Sequence, residues 1–403
     1  MRRKLHWLAS AGGLPSTRLM QTKITRREFL GTAALGVSAL AVSPLAGALL
    51  EKNSFSFVLL GDLHFDRMEH HDMEWLRTNK PDDVRQVQDY SAITRDVTPK
   101  LFTKIRDVIS DSGKPGQRNV KFVLQVGDLV EGLCGTEALA MKQNSEAIAF
   151  VEQSQLGVPF VFTKGNHDIT GDGAVDAFKN VLQPFMAKQA TSVDARTSLS
   201  KSCHSFRCGN ALFCCFDAYD NQSLAWLEAT LAKRTERHCF VIIHPPVVPY
   251  GARSTWHLFA RPNQKAQREK LLTILAKQNA IVLGGHIHKY NTLVREVPGS
   301  GRFLQLAVSS IIRSPTVVPK DVLSAKDYDP DQIKVEPKFS PATEEERRAI
   351  YIAEAPFVKQ FQYADVPGYA IVHVNDDKVE ASVFAGAIGD PWRTVKVSEL
   401  LKV

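Results

Sequence analysis

The sequence has no internal repeat and no low-complexity tract, which excludes a repeat architecture. No C-x-x-C pair occurs among its six cysteines, so the ligand spacing of a structural zinc site is missing. The chain has 403 residues, of which 44% are hydrophobic. That is enough to bury a sizeable core in one large or two smaller domains, without help from disulfides or metals.

A basic surface is also lacking outside the N-terminal segment. The net charge is +7, but residues 1–48 hold seven basic side chains and one acid, and so account for six of these charges. The near-neutral remainder argues against a strong nucleic-acid footprint on the folded part.

Residues 1–48 have the features of an export signal. An arginine pair, a weakly apolar run and a small-residue cleavage site follow one another: Arg26-Arg27, Gly31 to Val42 and Ala46-Gly47-Ala48. This order predicts a twin-arginine signal peptide, recognition by the twin-arginine (Tat) export machinery and a periplasmic or extracellular location. Two alternatives stay open, an uncleaved anchor and a start at Met20; after cleavage no stable membrane span is expected.

The cysteines permit two interpretations. They are Cys134, Cys203, Cys208, Cys214, Cys215 and Cys239. An exported protein can form disulfides, but the pairing cannot be read from sequence. Cys214 and Cys215 are adjacent on a predicted strand, so they face opposite sides, and buried small hydrophobes are an equal alternative.

Apolar runs alternate with helix-like stretches along the rest of the chain. Strands are predicted at 55–60, 121–126, 158–162, 239–243 and 280–283, with a hairpin over 204–216. Helices are predicted at 82–110, 137–153, 224–233 and 267–277. This order indicates an α/β fold whose ligands collect beyond the carboxyl ends of strands. Residues 314–364 read as a loop-rich elaboration, and 368–384 as further strands.

Five polar motifs follow the strand-like runs. They are Asp62-Leu63-His64, Gly127-Asp128, Gly165-Asn166-His167-Asp168, His244 and Gly285-His286-Ile287-His288. Each motif is weak alone, since a single Gly-Asp or His after a strand is usually structural. Together they supply oxygen and nitrogen donors that suit first-row divalent metals.

This ordered set resembles that of the calcineurin-like metallophosphoesterases, over about residues 55 to 312. The resemblance implies a four-layer αββα sandwich of two mixed β-sheets flanked by helices, within a domain spanning 49–403. It implies two divalent or mixed-valence metal ions, of Mn, Fe or Zn. One metal is expected on Asp62, His64, Asp128 and His288, and the second on Asp128, Asn166, His244 and His286, with Asp128 bridging.

The resemblance also implies the chemistry. Two metals stabilise an in-line displacement and lower the pKa of bound water, which gives a hydroxide nucleophile. His167 is expected to be the general acid that protonates the leaving group. The substrate is expected to be a small phosphate ester, either a monoester or a diester.

One position departs from the family pattern. Glu131 occupies the place where some relatives carry an Asp that orients the catalytic histidine, and where purple acid phosphatases carry an iron-binding tyrosine. The departure argues against a tyrosine-ligated ferric site. Glu131 is therefore a candidate to orient His167 or simply a loop residue, and Asp168 is a second candidate.

Substrate contacts and competing functions stay open. His70-His71-Asp72 is interpreted as a solvated loop or as part of the pocket mouth. Arg253, Trp256 and His257 are interpreted as phosphate- or base-binding groups or as loop packing, and the elaboration as a possible lid. The alternative functions are a non-catalytic binding module on the same fold and a secreted nuclease.

Overall fold

Two β-sheets occupy the centre of the computed structural model, which describes residues 54–111, 119–251, 256–319, 327–332 and 343–402. The predicted export signal and Arg253 lie outside these residues. Residues 53–403 form one compact unit.

The first sheet has six strands in the order β14-β13-β12-β1-β2-β3. They are β1 (Phe55–Leu60), β2 (Val120–Gln125), β3 (Phe160–Phe162), β12 (Gly368–Val374), β13 (Val379–Ala385) and β14 (Pro391–Val395). β1, β2 and β3 are parallel, whereas β12 pairs antiparallel with β1 and begins an antiparallel meander. The sheet is therefore mixed.

The second sheet has eight strands in the order β11-β9-β10-β8-β7-β6-β5-β4. They are β4 (Ser198–Ser200), β5 (Cys203–Cys208), β6 (Ala211–Phe216), β7 (His238–Ile243), β8 (Ile281–Gly284), β9 (Tyr290–Val297), β10 (Gly301–Ala307) and β11 (Val358–Ala364). β6, β7, β8 and β10 are parallel neighbours, and the outer strands pair antiparallel.

Helices cover the outer faces of both sheets. They are α1 (Met73–Asn79), α2 (Val84–Asp96), α3 (Thr98–Ser110), α4 (Glu137–Gln153), α5 (Ala174–Ala177), α6 (Gln183–Val193), α7 (Ser223–Leu231), α8 (Lys265–Lys277), α9 (Glu344–Glu354) and α10 (Val397–Leu400). A π-helical turn, Phe178–Leu182, joins α5 to α6. Within the described ranges, no helix has the length and apolar character needed to cross a membrane.

Alternating side chains on the central strands build the layers. Phe57 and Phe122 of the first sheet stack at 5.1 Å, and Phe213 and Phe240 of the second stack at 4.6 Å. Phe57 meets the second pair edge-on at 5.4 and 5.5 Å, so these rings fill the space between the sheets. The neighbour Val58 points to the opposite face and packs in the cluster beneath α2, α3, α4 and α6.

The second sheet alternates in the same way. Phe213 faces the first sheet, while Cys214 joins the outer cluster that contains residues of α7 and α8. The predicted four-layer αββα sandwich of two mixed sheets is confirmed. All six cysteines are free and all but Cys208 are buried, so the interpretation as buried small hydrophobes describes five of them.

The structure corrects two predicted elements. The helix predicted over 82–110 is two helices, α2 and α3, which meet at Val97. Pro99 in the first turn of α3 lacks the N–H that a continuous helix would use. The stretch 314–364 contains α9 and β11 rather than loop alone, because Thr343 and Glu346 form a capping box that starts α9.

Candidate metal centre

The motif residues gather beyond the carboxyl ends of the parallel strands. Asp62 follows β1, Asp128 follows β2 and Asn166 follows β3, while His244 follows β7 and His286 follows β8. Parallel neighbours end at the same edge of their sheet, so each sheet delivers its polar residues to one place.

Four of the predicted metal ligands have left-handed backbone conformations. The φ angles are +45° at His64, +55° at Asp128, +69° at His286 and +59° at His288. Such angles are uncommon outside glycine, cost about 1–3 kcal/mol each and cluster at functional sites. The surrounding structure therefore holds these side chains in directions that an ordinary turn would not give.

The side chains predicted for one metal lie together. Asp62, His64, Asp128 and His288 each offer a ligand atom, and these atoms lie within 4.8 Å of one another. Nε2 of His64 is 3.2 Å from Nε2 of His288 and 3.6 Å from Oδ2 of Asp128. Nitrogens and carboxylate oxygens that face one another at these distances form a donor set for a single cation.

The side chains predicted for the second metal adjoin the first group. Asp128, His244 and His286 form another such group. Oδ1 of Asn166 lies 2.8 Å from Nδ1 of His286 and 3.2 Å from Nε2 of His244. Oδ2 of Asp128 is 3.0 Å from Nε2 of His244. Asp128 thus belongs to both groups, as a bridging ligand would.

Two of the carboxylate oxygens in these groups lack a well-formed hydrogen bond, and a bound cation would take the place of the missing donor. Oδ2 of Asp62 and Oδ2 of Asp128 are buried and make no well-formed hydrogen bond. Buried carboxylate oxygens of this kind are costly unless a charge or a donor compensates them. Burial raises the pKa of Asp62, and the neighbouring Asp128 raises it further. Two cations that share Asp128 would satisfy both carboxylates.

Contacts behind the histidines fix their orientation. Nδ1 of His244 donates to the backbone oxygen of Val126 at 2.9 Å, which leaves Nε2 facing the centre. Nδ1 of His64 lies 2.5 Å from Oε2 of Glu131, which similarly leaves Nε2 facing the centre. Metal-binding histidines are commonly held in this way by a carboxylate or a backbone carbonyl.

Close approach requires glycine beside two of the ligands. A Cβ at Gly127 would lie 2.5 Å from Nδ1 of His244, and the φ of Gly127 is +105°. A Cβ at Gly285 would lie 2.5 Å from Oδ2 of Asp62. The glycines of these motifs therefore let the strand-end loops pass against the ligand side chains.

His167 sits at the edge of the cluster and is anchored by Glu131. Its Nδ1 donates to the backbone oxygen of Glu131 at 2.7 Å and lies 3.4 Å from Oε2 of the same residue. Burial opposes protonation of the ring, but the Glu131 and Asp128 carboxylates outweigh it and raise the pKa of His167. Glu131 thus contacts both His167 and His64.

Asp168 takes a different position from the one expected of a residue that orients His167. Its carboxylate accepts hydrogen bonds from the backbone N–H groups of Gly165 at 2.7 Å, Asp128 at 3.2 Å and Val130 at 3.1 Å. Burial, helped by the Asp128 charge, raises its pKa to about 6. Asp168 therefore ties the Asp128 loop to the Asn166 loop.

His70 and His71 neither form a solvated loop nor line the pocket. Both are buried, and Nε2 of His71 lies 2.7 Å from Oδ1 of Asp66. Asp66 also accepts hydrogen bonds from Ser91 at 2.8 Å and Gln143 at 2.8 Å. Gln143 in turn accepts from the N–H of Gly132 at 2.9 Å, so this network supports the loop that carries Glu131.

The structure also brings residues to the site that no motif indicated. Nε2 of Gln86 donates to Oε1 of Glu131 at 2.8 Å, and the ring of Tyr90 lies 4.5 Å from that of His64. Both come from α2, whose sequence reads only as a polar helix. Trp256, which the sequence had suggested as a base-binding or loop-packing residue, packs its ring 4.6 Å from that of His286.

Two cavities open onto the metal-ligand cluster. One, of about 470 Å³, is lined by His167, His286, His288 and Trp256 together with Lys80 and Asp83. The other, of about 700 Å³, shares His288 with the first and is also lined by Tyr90, Lys289, Arg313 and Asp365. Each is large enough for a small ligand.

Comparisons with known proteins place the chain among phosphoesterases. A family model described as calcineurin-like phosphoesterase matches residues 55–290. No curated protein matches the chain by sequence.

Solved structures with a similar fold include two phosphatases and a protein named PhoD. A purple acid phosphatase from yellow lupin (Lupinus luteus) seeds is 12% identical with a TM-score of 0.47; the match covers 85% of this chain and 53% of that protein, so the chain spans about half its length. A structure named PhoD is 13% identical with a TM-score of 0.48 and coverages of 85% and 68%. A dimetal phosphatase from Danio rerio is 14% identical with a TM-score of 0.44 and coverages of 85% and 99%.

The family model spans more than half of the chain, and its range contains every predicted metal ligand and His167. The chain belongs to the calcineurin-like phosphoesterases, a family of metal-dependent phosphoric ester hydrolases.

Proposed function

We propose that the protein is an exported phosphoesterase that binds two metal ions and hydrolyses a phosphomonoester or phosphodiester. The observation that carries the proposal is the pair of donor groups that share Asp128, beside a cavity that also holds His167. When bound, two such cations would supply Lewis-acid stabilisation of the phosphoryl oxygens and an activated water.

The chain's own residues would divide the remaining work. Asp62, His64 and His288 would hold one cation, and Asn166, His244 and His286 the other, with Asp128 between them. Glu131 and the Val126 carbonyl would keep the imidazoles turned toward the ions. Asp168 would hold the two ligand loops in register.

His167 would move the proton. Its Nδ1 is held on the Glu131 carbonyl, so Nε2 is the atom available to the leaving oxygen. General acid catalysis of this kind contributes about 10²- to 10⁴-fold to a rate, and most for poor leaving groups.

The test combines metal analysis with hydrolysis of para-nitrophenyl phosphate and bis-para-nitrophenyl phosphate by the purified protein. We expect near two metals per chain and a preference for one of the esters. His286→Ala should lose metal and turnover together. His167→Ala should keep both metals and lose about 10²-fold or more in kcat. His373→Ala, which removes a half-buried histidine on β12 away from the site, should change neither.

Other outcomes separate the alternatives. Absence of metal and of turnover after reconstitution with Mn, Fe and Zn would favour a binding module. Cleavage of DNA or RNA in gel assays with no turnover of small esters would favour a nuclease. Full metal content in His286→Ala would contradict the ligand assignment.

Export rests on the order of features in residues 1–48. The full chain, expressed in a bacterial host with a twin-arginine system, should appear in the periplasm. Replacing Arg26 and Arg27 together by lysine should retain it in the cytoplasm. Equal periplasmic amounts of both forms would contradict the proposal.

A further inference from the structure

Trp256 forms one wall of the cavity that holds His167. Its ring lies 4.6 Å from the ring of His286 at an interplanar angle of 41°, and 41% of the residue remains exposed. A tryptophan side chain is usually buried to a greater extent than this in a folded protein. Here its exposure occurs beside the proposed reaction centre, which makes it a candidate ligand-binding surface.

The position of His167 decides which cavity receives the leaving group. A general acid must lie within hydrogen-bond reach of the leaving oxygen. His167 lines the cavity of about 470 Å³ and does not line the one of about 700 Å³. With His167 as the acid, the departing alcohol would occupy the cavity walled by Trp256.

The chain that directly follows Trp256 is held by buried contacts. After Trp256, His257 is buried and the N–H of Leu258 donates to Pro246 at 2.8 Å. A pre-positioned ring loses little entropy when a ligand stacks on it.

We infer that the preferred substrate is a phosphate ester whose leaving alcohol carries an aromatic ring, which stacks on Trp256. The inference rests on the proposed function for the position of the phosphoryl group. A phenol and a nucleoside both satisfy this chemistry, because each presents a flat π-face. Lys80 and Asp83 line the same cavity and add polar groups to it.

Binding to the metal-loaded full chain tests the inference without requiring turnover. Calorimetry should show that phenylphosphonate binds about tenfold more tightly than ethylphosphonate. Trp256→Ala should abolish this preference, and Trp256→Phe should keep most of it. Trp226→Phe, a change on α7 away from the cavity, should leave it intact. Metal content should be equal in all four proteins.

A second pair of ligands distinguishes the two sources of the ring. If the alcohol is a nucleoside, kcat/KM for adenosine monophosphate should exceed that for ribose 5-phosphate by about tenfold, and only in proteins with an aromatic residue at 256. If the pattern holds for the phosphonates alone, the ring belongs to a phenol.

Two results would overturn the inference: equal binding of the two phosphonates, or a preference that survives in Trp256→Ala. A Trp256-dependent preference with no hydrolysis of any ester would support stacking of the ring on Trp256 and would count against the proposed function instead.

Discussion

Glu131 is the residue whose contacts link the metal ligands to the proposed acid. Its Oε2 faces Nδ1 of His64 at 2.5 Å, and its Oε1 accepts from Gln86 at 2.8 Å. Its backbone oxygen, rather than its carboxylate, makes the 2.7 Å hydrogen bond to His167. The Glu131 side chain therefore orients His64. The hydrogen bond to His167 uses the backbone carbonyl, which any residue at position 131 would provide.

We predict that Glu131→Gln weakens metal binding more than it weakens proton transfer. Both neighbours of the carboxylate donate, so one of them must face the amide N–H of glutamine. Loss of such a supporting group typically costs about 10- to 100-fold in metal affinity. Competition with a chelator measures the effect. Glu146→Gln, which alters the partner of buried His70, is the control and should leave metal affinity unchanged. Normal metal affinity in Glu131→Gln would contradict the assignment.

His204 predicts a pH dependence of stability that is separate from the site. It is buried on β5, and burial lowers its pKa to about 4. As the pH falls, His204 of the unfolded chain is protonated at about pH 6.5, whereas His204 of the folded chain is protonated only near pH 4. Its contribution to stability is therefore fully present above about pH 6.5 and is lost as the pH falls toward about 4.

His204→Phe should remove this dependence, since phenylalanine continues the stacking beside Phe206 and cannot be protonated. Between about pH 7.5 and pH 5 the unaltered protein should lose about 2 kcal/mol more unfolding free energy than the variant. Urea unfolding at the two pH values measures the difference. Parallel losses in both proteins would show that folding does not change the pKa of His204.

At this scale the sequence predicted the residues that gather in the two donor groups and missed some of those that pack behind them. Asp62, Asp128 and His286 stand in short motifs directly after strands, where chain order alone brings them to the sheet edges. Gln86 and Tyr90 approach from a helix more than 35 residues before Asp128, in a stretch without a motif. Their approach depends on how α2 packs on the first sheet, which residue types do not encode locally.

Helices and strands with strong hydrophobic periodicity were predictable from the sequence. The short helix α9, which lacks such periodicity, was not. β1, the hairpin β5–β6 and α4 lie within a residue or two of the predicted bounds. The helix α9 is rich in charged residues, and its short buried face consists of Arg347, Tyr351 and Glu354. A helix whose buried face is itself partly charged gives little hydrophobic periodicity, so the sequence reads as loop.

Glu354 attaches α9 to the second sheet. Its carboxylate pairs with Arg295 of β9 at 2.8 Å and with Arg268 of α8, and all three side chains are largely buried. The charges of the two arginines outweigh the effect of burial and lower the pKa of Glu354. Removing the anion would leave two guanidinium groups facing each other without compensation.

We predict that Glu354→Gln lowers the unfolding free energy by about 3 kcal/mol and loosens α9. Urea unfolding measures the first effect, and amide hydrogen exchange over 344–364 measures the second. Glu345→Gln, on the exposed side of the same helix, should change neither by more than about 0.5 kcal/mol. Unchanged exchange in Glu354→Gln would mean that Tyr351 and its hydrogen bond to Gly251 suffice to hold the helix.

For the whole molecule, the layer order followed from the family resemblance and the strand order did not follow from periodicity. β12 pairs with β1 although more than 300 residues separate them, and β11 joins the opposite sheet just before β12 begins. An alternating apolar pattern indicates that a strand is buried, but it does not indicate which strand it pairs with. Chain order was informative only where consecutive strands are neighbours in a sheet, as β1, β2 and β3 are, and as the hairpin strands β5 and β6 are.

The two sheets meet at a centre where like charges are buried, so stability should depend on metal. Asp62 and Asp128 are both buried, and each has an oxygen without a well-formed hydrogen bond. Cations that bind only the folded chain stabilise it by about 4 kcal/mol when present at about 1,000 times their dissociation constant. The unfolding free energy measured in urea with saturating metal should exceed that measured with excess chelator by about 4 kcal/mol.

Asp128→Asn tests whether the bridging carboxylate is the source of this coupling. The variant should lose most of the metal-dependent gain, because the residue common to both donor groups no longer carries a charge. Without metal it should be at least as stable as the unaltered protein, because one of two neighbouring buried carboxylates is gone. Asp220→Asn, a change at a half-buried carboxylate paired with Lys201 away from the donor groups, is the control and should keep the full metal dependence. An undiminished gain in Asp128→Asn would mean that the two groups bind metal independently of Asp128, and the shared-ligand arrangement would have to be abandoned.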